Sequence, residues 1–133
     1  MHTGSCLCGG VRFTLTGPLE PIQVCHCGAC RRAQGSAFAA NIPVADEAFV
    51  LERGEDLLQV YESSPGKDRV FCRTCGSPVF SRTTAVPGVK RVRTGLLAGP
   101  VSSRPAFHAF VDDAADWWTI SDDLPRYPLR KPD

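Results

Sequence analysis

The chain has 133 residues, 43% of them hydrophobic and 22% charged, with a formal net charge of +1. That is the length of one domain, residues 1–133, with apolar content for a core and too little excess charge to expect a nucleic-acid or membrane-surface partner. No apolar run approaches the ~20 residues of a membrane span, and Met1 to Ser5 lack the basic-then-apolar pattern of a signal peptide, so a cytoplasmic location is the expectation.

Seven cysteines organise everything else. An odd number argues against a complete disulfide framework, and a reducing compartment disfavours one anyway. They fall at Cys6 and Cys8, at Cys25, Cys27 and Cys30, and at Cys72 and Cys75. Such short spacings suit deprotonated sulfur wrapped around zinc.

In chain order, Cys6-Leu7-Cys8 reads as extended, so residues two apart face one side and both sulfurs can reach one ion. Gly9-Gly10 turns the chain into Val11 to Thr16, whose alternation predicts a half-buried strand. A short strand, Ile22 to Val24, runs into Cys25-His26-Cys27-Gly28-Ala29-Cys30. From Gly28 to Gln34 the residues predict one or two helical turns stopped by Gly35. Cys25 and Cys27 then come from extended chain and Cys30 from the helix start. Ser36 to Val44, closed by Pro43, is a further strand. Phe49 to Leu51 and Leu57 to Tyr61 read as a hairpin across the polar link Arg53-Gly54-Glu55-Asp56. Ser63 to Lys67 is a turn.

Cys72-Arg73-Thr74-Cys75-Gly76 has the zinc-knuckle pattern, in which the glycine takes a left-handed conformation. A redox dithiol is the alternative, though no βαβ pattern surrounds it. Pro78 to Arg82 and Lys90 to Thr94 are two more strands. The basic second one reads as a charge-guarded edge strand rather than as the wall of an anion site. Ala106 to Val111 alternates around His108, read as a satisfied core histidine. The aromatic, proline-rich tail from Asp116 to Pro128 is expected to pack over the sheets. The fold class is mainly β with one short helix.

The partition that fits seven thiols is four plus three. Cys6, Cys8, Cys72 and Cys75 would close one zinc site, joining the N-terminus to a turn far along the chain. Structural zinc contributes about 10–16 kcal/mol of apparent binding energy, against ~5–15 kcal/mol for the net stability of a domain. Cys25, Cys27 and Cys30 leave one tetrahedral position open for chemistry. Arg31 and Arg32 stand beside this trio, either to offset thiolate charge and bind a substrate carboxylate or as a solvated turn. His26 lies between two ligands, where it could orient a proton or serve as the fourth ligand, although by strand alternation it points away from both sulfurs.

Three motifs carry a resemblance over nearly the whole chain. G-x-C-x-C-G-x-V from Gly4 to Val11, C-H-C-x-x-C-R from Cys25 to Arg31 and F-C-x-x-C-G-S from Phe71 to Ser77 resemble the glutathione-dependent formaldehyde-activating enzyme family, whose domain is shared with centromere protein V. His108, Trp117 and Asp122 to Tyr127 are similar to its closing segment. The resemblance implies a β-tent of packed antiparallel sheets stapled by zinc. It also implies a structural zinc at Cys6, Cys8, Cys72 and Cys75 and a catalytic zinc at Cys25, Cys27 and Cys30. The implied activity is that of a zinc-dependent carbon–sulfur lyase, joining a small thiol such as glutathione to an aldehyde, with S-hydroxymethylglutathione as the founding product. The alternative is a non-catalytic zinc-stapled binding module like the centromeric relative. Near-neutral charge and the lack of a long basic tail favour the enzyme.

Overall fold

The alternating segments pair into two sheets in the computed structural model, which describes residues 1–133. Strands β1 (His2–Ser5), β2 (Arg12–Leu15) and β5 (Phe49–Arg53) form a three-stranded antiparallel sheet in that order. The larger sheet uses β3 (Ile22–Cys25), β4 (Ala39–Ala45), β6 (Leu58–Ser64), β7 (Lys67–Cys72), β8 (Pro78–Thr83), β9 (Val89–Arg93) and β10 (Pro105–Ala109). Its order is β10-β3-β4-β9-β8-β7-β6, antiparallel throughout except that β10 runs parallel to β3. One helix, α1 (Gly28–Gln34), follows β3 and ends at a left-handed Gly35. The fold is therefore mainly β with a single short helix. No helix is long and apolar enough to cross a membrane.

The core lies where the two sheets meet. Register sets Ile42, Val92, Phe80 and Val70 side by side across four strands, and all four are buried in one cluster with Phe13 and Leu15 of the smaller sheet. Phe49 joins the layers, stacking on Phe13 at 4.9 Å between centroids and meeting Phe80 edge-on at 5.4 Å. Each such side chain contributes about 1.5–3 kcal/mol on burial. Cys6 and Cys72 belong to the same cluster, so the sulfur staple is set into the apolar core.

Three expectations need correction. The segments around Phe49 and Leu57 do not form a hairpin: β5 pairs with β2 in the small sheet and β6 with β7 in the large one. Gly54, at φ +94, and the 3-10 turn Glu55–Leu57 redirect the chain between sheets. Secondly, β9 is no edge strand; it lies between β4 and β8, and the basic residues it carries reach a cavity and a buried polar network. Thirdly, Pro43 does not close its strand but sits within β4 opposite Arg91. The tail lies along the outer edge of β10, with His108 N–H donating to the Pro125 carbonyl at 2.9 Å and Tyr127 N–H to that of His108 at 2.9 Å.

Gly54 carries a test of the crossover. A Cβ there would stand 2.4 Å from the Gly10 carbonyl oxygen and 2.8 Å from the Val11 Cα, both backbone atoms. Gly54→Ala is expected to lower stability by about 2–3 kcal/mol, combining left-handed strain with that collision, read as a lower urea midpoint. An unchanged midpoint would contradict the packing of β5 and β6 into separate sheets around this residue.

Candidate metal centres and the cavity beside them

The quartet of sulfurs comes from two turns distant in sequence. Cys6 and Cys8 leave β1, while Cys72 ends β7 and Cys75 lies in the turn to β8. Gly76 takes φ +80 and its N–H donates to the Cys72 carbonyl at 2.7 Å, the knuckle geometry its sequence predicts. The sulfurs of Cys6 and Cys8 are 3.6 Å apart, those of Cys8 and Cys72 are 3.9 Å apart, and all four lie within 4.8 Å of one another. Four sulfurs each ~2.3 Å from a zinc ion lie about 3.8 Å apart at tetrahedral corners, so the cluster fits that ion. N–H donors already point at it, from Val11 to Cys6 Sγ at 3.3 Å and from Gly10 to Cys8 Sγ at 3.4 Å. The Ser77 hydroxyl, 3.2 Å from Cys75 Sγ, and the Ser77 N–H bring the Cys75 thiol down to about 5.

The trio is assembled locally. Cys25 ends β3, Cys27 caps α1 by accepting the Cys30 N–H on its sulfur at 3.3 Å, and Cys30 is buried in the first helical turn. Their sulfurs also lie within 4.8 Å of one another. His26 faces the other way, fully buried, with Nε2 2.8 Å from His108 Nδ1. Burial and the neighbouring His108 push its pKa down, which keeps the ring neutral. Hydrogen bonds from Cys25 and Cys27, helped by Arg69, hold the Cys30 thiol down at about 2, while sharing protons with Cys27 and Cys30 pushes the Cys25 thiol up. One sulfur thus becomes anionic at its neighbours' expense. A bound dication is the simplest means of making all three thiolates at once.

A cavity of about 710 Å³ opens beside the trio. Its floor is one face of the large sheet, because paired residues share a face. Register sets Arg91 on β9, Ser81 on β8 and Arg69 on β7 in one row, with Lys67 two residues before Arg69. Cys25 on β3 shares that face but lies further along the sheet, since it pairs with Ala39 of β4 whereas Arg91 pairs with Pro43. Serine and threonine on β8 keep the centre shallow, so Lys67, Arg69 and Arg91 lean over open space. None of the three has a carboxylate partner: Asp68 pairs with Arg82, Asp46 with Lys90, and Asp122 hydrogen-bonds His108. Burial, then the charges of Arg91 and Arg69, lower the Lys67 pKa. The Arg69 guanidinium nitrogens stand 3.9 and 4.0 Å from Cys30 Sγ. Behind them Arg93 is buried, donating to Asn41 at 2.7 Å and to Gln34 at 3.0 Å.

Residues 1–113 match the sequence profile of the glutathione-dependent formaldehyde-activating enzymes. The chain belongs to this family. A Halomonas elongata protein provisionally named as such an enzyme is 28% identical over 126 residues, which span 88% of this chain and 79% of that one. A Schizosaccharomyces pombe protein named as an uncharacterized lyase is 23% identical over 90% of this chain and 85% of its own. The fold recurs in the crystal structure of a Rhodobacter sphaeroides protein, with TM-score 0.64 and 23% identity, covering 78% of this chain and 99% of that chain.

Within this member of the family, the seven cysteines that the sequence singles out are brought together as four and three. Arg31 and Arg32 do not line the cavity. They occupy the last turn of α1, where Arg32 is exposed. The cations beside the trio are instead Arg69 and Lys67, which sequence reasoning missed, and Arg91, on the strand it read as a guarded edge rather than as the wall of an anion site. Their signal was present as Lys67-Asp68-Arg69 and Arg91-Val92-Arg93, in which residues two apart share a strand face. Nothing local says that the two strands meet across Ser81.

The quartet yields a stability test. Stripping metal with a strong chelator, or replacing Cys72 with serine, is expected to abolish cooperative thermal unfolding, since structural zinc sites supply ~10 kcal/mol or more. Melting followed by circular dichroism checks this. A cooperative melt of unchanged midpoint in the chelator would show that the quartet holds no fold-determining ion.

Proposed function

We propose that the chain is a single-domain, zinc-dependent carbon–sulfur lyase acting on adducts of a small thiol and an aldehyde, as in the interconversion of glutathione and formaldehyde with S-hydroxymethylglutathione. The observation that carries this reading is the trio of sulfurs opening onto a cavity walled by cations with no carboxylate partners. Cys6, Cys8, Cys72 and Cys75 would hold a structural zinc, and Cys25, Cys27 and Cys30 a catalytic one. When bound at three thiolates with a fourth position exchangeable, zinc lowers the pKa of an incoming thiol and polarises a carbonyl.

The chain's own residues do the rest. Three thiolates and a dication sum to one negative charge, and Arg69 beside Cys30 offsets it. Lys67, Arg69 and Arg91 attract the carboxylates of a glutathione-like thiol, through charge-assisted bonds worth roughly twice neutral ones. Phe107 and Phe110 line the same cavity and thin the water around the reacting atoms, which strengthens those interactions. In the addition direction a carbon–sulfur bond forms between the thiol sulfur and the aldehyde carbon, and the thiol proton ends on the former carbonyl oxygen. Cleavage is the reverse. A binding module with no turnover would have no use for an unpaired cation cluster beside an unsaturated sulfur trio.

Cys27→Ser is expected to fold with an unchanged melt, to carry one metal per chain instead of two, and to lose thiol–aldehyde chemistry. Arg91→Ala is expected to raise the KM for glutathione by about tenfold, the loss of one charge-assisted bond of roughly 1.5 kcal/mol, with metal content intact. Metal analysis and initial rates check both. Full activity in folded Cys27→Ser would overturn the assignment.

A further inference from the structure

Two buried histidines have no part in the chemistry described above. His26 has no solvent exposure and His108 only 5%, and their rings are joined at 2.8 Å from Nε2 to Nδ1. His108 Nε2 in turn lies 2.9 and 3.1 Å from the carboxylate oxygens of Asp122. Asp122 sits in the tail, beyond residues 1–113 that match the family's sequence profile.

The direction of this chain of bonds is set from its outer end. An ionised carboxylate only accepts, so His108 donates from Nε2. A neutral His108 then presents a lone pair at Nδ1, and His26 donates to it from Nε2. This leaves His26 Nδ1 as a buried acceptor, and it has no partner. An orphaned buried nitrogen is destabilising, so an apolar side chain would serve packing better. The imidazole has another use. The backbone N–H of His26 donates to the Ala109 carbonyl at 3.0 Å, in register with the parallel pairing of Cys25 with Ala109. Residues of an extended segment alternate faces. With His26 tied into the interior, both neighbouring sulfurs turn to the cavity.

We propose that Asp122, His108 and His26 form a positioning chain that aims Cys25 and Cys27 at a common metal, so that the tail governs how firmly the trio holds its ion. This rests on the reading of the trio as a metal site. Partners that orient a metal's ligands from behind are typically worth ~10–100-fold in affinity.

Asp122→Asn is the discriminating variant. The Asp122 side chain is 47% exposed, so the isosteric change leaves the fold intact. The Leu124 N–H, 3.0 Å from Oδ1, keeps the amide oxygen at that position, so the amide nitrogen takes the place of Oδ2 beside His108 Nε2, donates to it and reverses every bond inward. The full-length, metal-loaded protein is followed by transfer of metal to a chelating indicator, which resolves a trio phase from a quartet phase. Release from the trio is expected to quicken 10–100-fold with the quartet phase and melt unchanged. Long-range proton–nitrogen spectra of labelled histidines should show both rings moving from the Nε2–H to the Nδ1–H tautomer. Asp122→Glu should restore the wild-type phase at least in part, and His108→Phe should repeat the effect of Asp122→Asn. Wild-type release from the trio in folded Asp122→Asn overturns the proposal, whether or not His108→Phe folds. A wild-type chain that binds one metal only overturns both this proposal and the function it rests on.

Discussion

The two-residue repeat of the large sheet keeps two incompatible environments on opposite sides of one layer of backbone. On one face Ile42, Val92, Phe80 and Val70 form a dry ladder against the smaller sheet. On the other, Arg91, Ser81 and Arg69 line up beneath a cavity that Cys25 also lines. A slip of one residue in β7 or β9 would send a cation into the core and a core residue into the cavity. Register is therefore the quantity the fold has to protect. Apolar burial on one side and desolvated charge on the other both penalise a slip.

The quartet of sulfurs reinforces that register from outside the sheet. It ties the turn after β1 to the turn between β7 and β8, and two of its sulfurs are buried among core side chains. A complete set of four donors leaves no room for another, which suits the structural role proposed for it. The trio has the opposite design. Its sulfurs are close enough to share an ion, they face the cavity, and the histidine that could complete them is occupied by His108 on the far side.

Much of this was legible in the sequence because it is written in short-range signals. Cysteine spacing groups the thiols, alternation marks β2, β3 and β10, and Gly35 stops α1 where helix propensity says it should. The failures lie where pairing is non-local. Arg53-Gly54-Glu55-Asp56 has the composition of a hairpin turn, yet Arg53 donates to the Gly9 carbonyl at 2.9 Å, 44 residues away, and the chain changes sheets there. The basic β9 resembles a guarded edge until β4 and β8 flank it. Arg31 and Arg32 adjoin the trio in sequence, while Arg69, nearly 40 residues on, adjoins it in space. Sequence proximity is a poor guide to a site built across strands. Asp122 reaches His108 only because the tail follows the edge of β10.

Cadmium-113 magnetic resonance of the metal-exchanged protein tests the central claim most directly, because it sees each ion and its sulfur donors separately. Two resonances are expected, one at a closed four-sulfur site that ignores added glutathione and one at a three-sulfur site that moves when the thiol arrives. A single resonance, or two that both stay fixed as glutathione is added, would contradict the account.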